Sequence, residues 1–343
     1  MTLVRLYILS FSLLLMAGCQ SGPEVVKMSG RTMGTQYNIS WVESEAHSRQ
    51  SSEQLQQKVE NVLERINASM STYRPDSELS VLNKQAPGDW QDISIDLYRV
   101  LMMSGSVYLG SDHAFDPTVG PLVNLWGFGP EKKADQVPDA LAIKQAMTSV
   151  GYGVANLRLR DEGYQVQLRD SRYIDLSAIA KGYAVDELGR LFDGVRINNY
   201  LIEVGGELLA KGRKPDGSAW RIAIEAPPES GRRVQKIVAL NDFGIATSGD
   251  YRNYFEQDGK RFSHTIDPRT GYPIEHKLAS VSVLHESVAL ADAWATALMV
   301  LGTEKGMAVA QKFDLMVYFL YRTEQGFADA ASPAFDKFLQ AGK

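Results

Sequence analysis

The stretch "ASVSVLHESVALADAWATALMVLG", Ala279–Gly302, decides the fold class. Its first six residues, Ala279 to Leu284, have the composition of a strand, and the run from Ser287 to Gly302 has the length and apolar content of a helix. "LMVYFLY" (315–321) follows as another strand. Units of this kind do not repeat regularly along the chain. "NLRLRDEGYQVQL" reads as a hairpin turning on Glu162-Gly163, and "YRNYFEQ" pairs with "KRFSHTI" across Asp258-Gly259. "TQYNISWV", "WRIAIEA" and "KIVALN" add strands. "SSEQLQQKVENVLERINASM", "SIDLYRVLMMSGSVYLG", "DALAIKQAMTSVG" (stopped by Gly151) and "SAIAKGYAVDELGRLF" add helices. Strands come in antiparallel runs with helices between them. The class is α+β, with mixed or antiparallel sheets and packed helices.

The same helix raises a chemical question. Asp292 and Thr296 are four residues apart in an otherwise apolar segment, so they share one face. A carboxylate and a hydroxyl so placed can grip one hard cation, or form hydrogen bonds in a tight helix contact. Oxygen-only ligation suits Mg²⁺ or Ca²⁺ and argues against zinc.

The amino terminus reads "MTLVRLYILSFSLLLMAGCQSG". Arg5 is a short basic region, Leu6 to Leu15 an apolar core too short to span a bilayer, and Ala17-Gly18 lead into Cys19. Residues 1–18 are expected to be an export signal of the lipoprotein type, with Met16 where leucine is usual. Cys19 is then lipidated, and residues 19–30 form the lipidated end and a tether. Cys19 is the only cysteine of the chain, so the mature protein has no disulfide. Removal of residues 1–18 takes away Arg5 and no acid, moving the formal charge from -5 to -6. Lysine and arginine form no long cluster, and nothing in this balance points to nucleic acid.

Several short stretches combine glycine, an acid and a hydroxyl. In "IDLSAIAKGYAVD" a strand runs into a helix expected to start near Ser177, with Lys181 one turn inside; free amides and a cation favour an anion such as phosphate, while a capped helix with a surface lysine reads equally simply. "SHTIDPRTGYP" holds His264 beside a Pro/Gly turn, as a general base or as a structural histidine. "AFDPTVGPL", "VGGEL" and "ATSGDY" offer turns whose glycines admit a ligand near the backbone, with Thr247 and Ser248 as hydroxyls.

Taken together and in order, "RTMGT" (31–35), "MSTYRPDSELSVLN", "AFDPTVGPL", "IDLSAIAKGYAVD", "VGGEL", "ATSGDY", "SHTIDPRTGYP" and "ADAWAT" (291–296) closely resemble the ApbE family of flavin transferases. The resemblance covers nearly all of the chain after the signal. It implies a single catalytic domain of two fused lobes over residues 31–343, and Mg²⁺-dependent transfer of FMN from FAD to a threonine or serine hydroxyl of a partner protein, with release of AMP. It implies that Met33, Tyr73, Ala114, Phe115, Asp116, Asp175, Lys181 and Ile266 line the FAD site. Asp292 and Thr296 would hold Mg²⁺ by their side chains and Ala178 by its carbonyl, with His264 as catalytic base. Ser177-Ala178 stands where many members have a glycine pair. The implied partners are flavin-carrying subunits of membrane electron-transport complexes of the Rnf and Nqr type, and the implied location is the periplasmic side of the inner membrane, with the outer membrane as the alternative. The same site would also serve an FAD diphosphatase, and a non-catalytic flavin-binding lipoprotein is the reading from another class.

Overall fold

The computed structural model describes residues 23–43, 51–129, 136–153, 155–225, 234–250 and 254–341. Cys19 and the expected signal segment lie outside them. The chain opens with strands β1 (Val25–Thr32) and β2 (Thr35–Val42), then helices α1 (Ser52–Met70) and α2 (Glu78–Leu82). Next come β3 (Trp90–Ile93), α3 (Ile95–Gly110), α4 (Gly120–Leu125) and α5 (Ala140–Met147). A hairpin of β4 (Ala155–Arg160) and β5 (Gly163–Leu168) leads to α6 (Ala180–Gly194). Then follow β6 (Tyr200–Val204), β7 (Glu207–Lys211), β8 (Trp220–Glu225), β9 (Val234–Leu240) and β10 (Phe243–Gly249). The last part holds β11 (Tyr254–Gln257), β12 (Lys260–Ser263), β13 (Leu278–His285), α7 (Val288–Lys312), β14 (Met316–Thr323), β15 (Gly326–Ala331) and α8 (Pro333–Ala341).

Eight strands form one sheet in the order β1-β2-β6-β7-β10-β13-β14-β15, and every neighbouring pair is antiparallel. The α+β reading holds, and antiparallel pairing accounts for the whole main sheet. Helices α1, α3, α6 and α7 pack on one face, where Val59, Leu97, Tyr183, Val281 and Leu298 are fully or almost fully buried. A second apolar cluster lies among strands β7, β8, β9 and β10 and helix α8, built on Trp220, Val238, Ile245 and Phe335. A third joins α4 and α5 to β11 and the segment after β12.

Local sequence explains most boundaries. Ser51 caps α1 and forms a reciprocal capping box with Gln54, while Leu55, Val59, Leu63 and Ile66 make its buried stripe. α7 is interrupted at Gly302 (φ 77°, ψ 178°), a conformation that favours glycine and ends the first helical run where the sequence predicts.

Four expectations shift. Residues 25–30, expected in the tether, form most of β1, which pairs with β2 in full register. The β4–β5 turn falls on Asp161-Glu162, with Gly163 already paired to Arg160. α5 ends at Met147, four residues before Gly151, because the last turns tighten into Thr148 and Ser149. α6 begins at Ala180 rather than near Ser177, since Ser177 turns its amide and hydroxyl onto Asp175 (2.8 and 2.5 Å) instead of capping the helix. Lys181 is therefore the second residue of α6.

Candidate functional site

A cavity of about 630 Å³ opens where the main sheet, α6, α7 and the β12–β13 segment meet. This is ordinary volume for a small-molecule site. Its walls come from sequence-distant loops held by specific bonds. Ala114, Phe115 and Asp116 follow α3, and Asp116 turns its carboxylate onto the Thr118 amide (2.8 Å) and hydroxyl (2.6 Å). Burial raises the Asp116 carboxyl above the usual range, opposed by those bonds. Asp175 is tied to the same loop through its amide, which donates to Pro117 O at 2.6 Å. Ala178 sits in the turn that opens α6.

The centre of charge is one lysine between two buried acids. Lys181 Nζ stands 3.1 Å from Glu207 Oε1 and 3.4 Å from Asp292 Oδ2. Burial works against the ammonium, but the Asp292 and Glu207 carboxylates outweigh it and hold its pKa above the ordinary lysine value. Burial, with the Asp292 charge beside it, pushes Glu207 up to about 8 against the pull of Lys181. Glu207 Oε2 is buried with no hydrogen-bond partner among the described residues.

Asp292 owes its place to a close helix crossing. A Cβ on Gly182 would overlap the Val288 carbonyl, so glycine lets α6 lie against the first turn of α7. The Gly182 amide then reaches Asp292 Oδ2 at 3.2 Å. One turn on, Thr296 Oγ1 is 3.3 Å from Ser248 Oγ, and both line the cavity with Asp292. The two readings of the Asp292/Thr296 pair are thus compatible: both side chains serve the packing contacts and both face the cavity.

His264 follows β12 and also lines the cavity, its ring edge-on to Phe128 with centroids 6.3 Å apart. Asp267, three residues on, pairs with Arg269 (2.7 and 2.8 Å). Ile266 is buried beside it, bridged to Pro273.

Ten of the twelve site residues that the resemblance implies meet at one cavity: Ala114, Phe115, Asp116, Asp175, Ala178, Lys181, His264, Ile266, Asp292 and Thr296. Met33 and Tyr73 do not line it. Met33 occupies the β1–β2 turn with φ 50°, partly packed on the core, and Tyr73 is 74% exposed after α1. Glu207 is the residue that sequence reading passed over. Its only signal is "VGGEL", where the glycines draw attention from the acid; Gly205 (φ 61°) and Gly206 (φ 107°) make the β6–β7 turn that delivers it.

The donors suit a hard cation with a phosphorylated ligand. Two buried acids flank one ammonium, and the hydroxyls of Thr296 and Ser248 line the same cavity, an oxygen set of the kind a hard cation shares with a phosphorylated ligand. Among the described residues no group of three or more His, Cys, Asp or Glu could hold a metal. An ion here would have to share its ligands with hydroxyls, carbonyls and its co-ligand.

Such a site on an antiparallel sheet defines an α+β protein with an oxygen-lined nucleotide-sized cavity. The chain belongs to the ApbE family, whose sequence model matches residues 33–319. It is 44% identical over 330 residues to the FAD:protein FMN transferase of Vibrio cholerae, covering 96% of this chain and 97% of that one. With the enzyme of the same name from Haemophilus influenzae it shares 42% over 332 residues, covering 95% and 94%. The crystal structure of the flavinyl transferase ApbE of Pseudomonas stutzeri, apo form, superposes with a TM-score of 0.85 at 40% identity, covering 94% of this chain and 99% of that one.

Proposed function

We propose that the protein transfers FMN from FAD to a threonine or serine hydroxyl of a partner protein, releasing AMP, with Mg²⁺. One observation carries the reading: His264 and the Lys181–Asp292–Glu207 cluster face one cavity, in a family whose curated relatives bear the name FAD:protein FMN transferase.

Asp292, Thr296 and the Ala178 carbonyl would hold Mg²⁺, which would supply positive charge to offset that of the diphosphate. Ala114 to Asp116, Asp175 and Ile266, which line the same cavity, bind and orient FAD. Lys181, anchored between two acids, presents its positive charge to the diphosphate from the start of α6. A threonine hydroxyl is a poor nucleophile at neutral pH, so His264 takes its proton as the oxygen bonds to phosphorus and the bond to AMP breaks. Positioning and electrostatics supply most of the acceleration.

Cys19 would carry a lipid that tethers the domain at the periplasmic face of the inner membrane, within reach of acceptor subunits of Rnf- or Nqr-type complexes. Among the described residues no helix is long and apolar enough to cross a membrane, and a lipid at Cys19 supplies another attachment. Labelled palmitate incorporated into the wild type but not into Cys19→Ser tests the anchor.

The central test incubates the protein with FAD, Mg²⁺ and a purified acceptor subunit, and reads the acceptor's intact mass. A gain of FMN less water, lost on chelation, is the expected result. AMP and FMN formed with no gain on the acceptor would instead make the protein an FAD diphosphatase.

A further inference from the structure

β8 is a strand with one partner. It pairs along its length with β9 and, among the described residues, joins no larger sheet. Its other edge carries backbone N–H and C=O groups that no strand among the described residues takes, and such an edge is a template for another chain. Four consecutive residues of β8, Ile222 to Glu225, line the cavity. Side chains alternate between the faces of a strand, so an unbroken run presents the edge rather than one face. Burial agrees, since Ile222 and Ile224 pack into the second core while Ala223 and Glu225 are exposed. The ribbon is held firmly: Trp220 is buried at its base and its indole N–H donates to Lys211 O at 3.0 Å.

The cavity holds a second free edge. β10 pairs with β7 only through Ile245 and runs on past the β6–β7 turn, so Thr247, Ser248 and Gly249 also line the wall. Ser248 touches Thr296, which gives that edge to the part of the cavity that suits a cation. The β8 edge has no such neighbour. A nucleotide offers no alternating run of amide donors and carbonyl acceptors, whereas an extended polypeptide does. The acceptor hydroxyl, moreover, enters on a backbone whose own amides lose water and need partners.

We propose that β8 is the docking strand for the acceptor. The acceptor segment enters extended and adds to the β8–β9 ribbon as a third strand, its hydroxyl-bearing side chain turned into the cavity and its neighbours turned away. This rests on the reading of the protein as an FMN transferase, and it adds a peptide-binding edge to the nucleotide site.

The test uses the whole enzyme with FAD, Mg²⁺ and a synthetic peptide of about ten residues, a full strand length, centred on the threonine that takes FMN in an acceptor protein. Backbone N-methylation removes one donor at a time and leaves side chains intact. Methyl groups at alternate positions should each lower kcat/KM by about tenfold, the loss of one backbone hydrogen bond, and those between them by far less. A uniform loss, or none at any position, overturns strand addition. Transfer to the intact acceptor with refusal of the unmethylated peptide overturns it too, because recognition then lies elsewhere on the acceptor. No transfer to the intact acceptor overturns the transferase reading, and the docking strand falls with it.

Discussion

Asp186 of α6 accepts hydrogen bonds at 2.7 Å from the Val288 amide and at 3.1 Å from the Ala289 amide, and at 2.7 Å from the Ser287 hydroxyl. One buried carboxylate thus caps the first turn of the helix that carries Asp292 and Thr296. Burial raises the Asp186 carboxyl above its usual range, and the three donors oppose that rise.

Asp186→Ala should therefore reach the site without touching ligand. It removes a cap and leaves buried amides unmet, together about 2–4 kcal/mol of stability. Urea denaturation measures the loss. Mg²⁺ should also raise the melting temperature of the variant less than that of the wild type, because Asp292 is no longer held in register. A variant destabilised but stabilised equally by Mg²⁺ would separate the cap from the site.

Gly182→Ala tests the crossing itself. In an exposed helix the change would add up to about 1 kcal/mol of stability, but here the methyl group meets the Val288 backbone. α6 and α7 must part, and the Gly182 amide leaves Asp292. Lower thermal stability and weaker Mg²⁺ binding by calorimetry are expected together; a neutral or stabilised variant would mean that the crossing has slack.

Glu207 makes stability depend on pH in a defined direction. Its carboxyl titrates near 8 in the fold and near ~4.3 in an unfolded chain. Between those values the native state binds more protons than the unfolded state, so stability falls as pH rises through that window. Glu207→Gln cannot titrate. In EDTA, denaturation of the wild type across this window should show a steeper decline than the variant. Asp116 and Asp186 also titrate above their usual range, but they do so in both proteins and cancel in the difference. Parallel curves would place the Glu207 proton elsewhere.

The sequence carried the site further than it carried the fold. The Asp292/Thr296 pair is legible as a shared face because helical spacing is a local property, but its reading as a ligand pair, like that of His264 as a base, rests on the family resemblance. The fold class follows from "TQYNISWV" and the hairpin signals, yet the strand order does not, since β2 pairs with β6 across more than 150 residues. β1 escaped because "EVVKMSGRT" lies at a sheet edge, where exposed and half-buried positions mix and blur the alternation. Glu207 was hidden for a different reason. An acid after two glycines looks like part of the turn, and only the fold brings it to Lys181.

Asp292→Ala and His264→Ala separate metal from chemistry. Removing the Asp292 carboxylate leaves Lys181 still paired with Glu207 at 3.1 Å, so the buried ammonium keeps a partner and the protein should fold. It loses the side chain proposed to hold Mg²⁺, and both transfer and the Mg²⁺-induced rise in melting temperature should vanish. His264 lies outside that cluster, stacked edge-on against Phe128. Its loss should leave FAD binding by fluorescence and the Mg²⁺ response intact, while transfer slows by about 10²–10⁴-fold, the range for a missing general base. The slowing should shrink as pH rises, because the acceptor hydroxyl then depends less on an enzyme base. Unchanged turnover in His264→Ala would remove it as the base. Lost FAD binding would make the histidine a wall of the nucleotide site instead, and would move the search for the base to the other titratable groups that line the cavity.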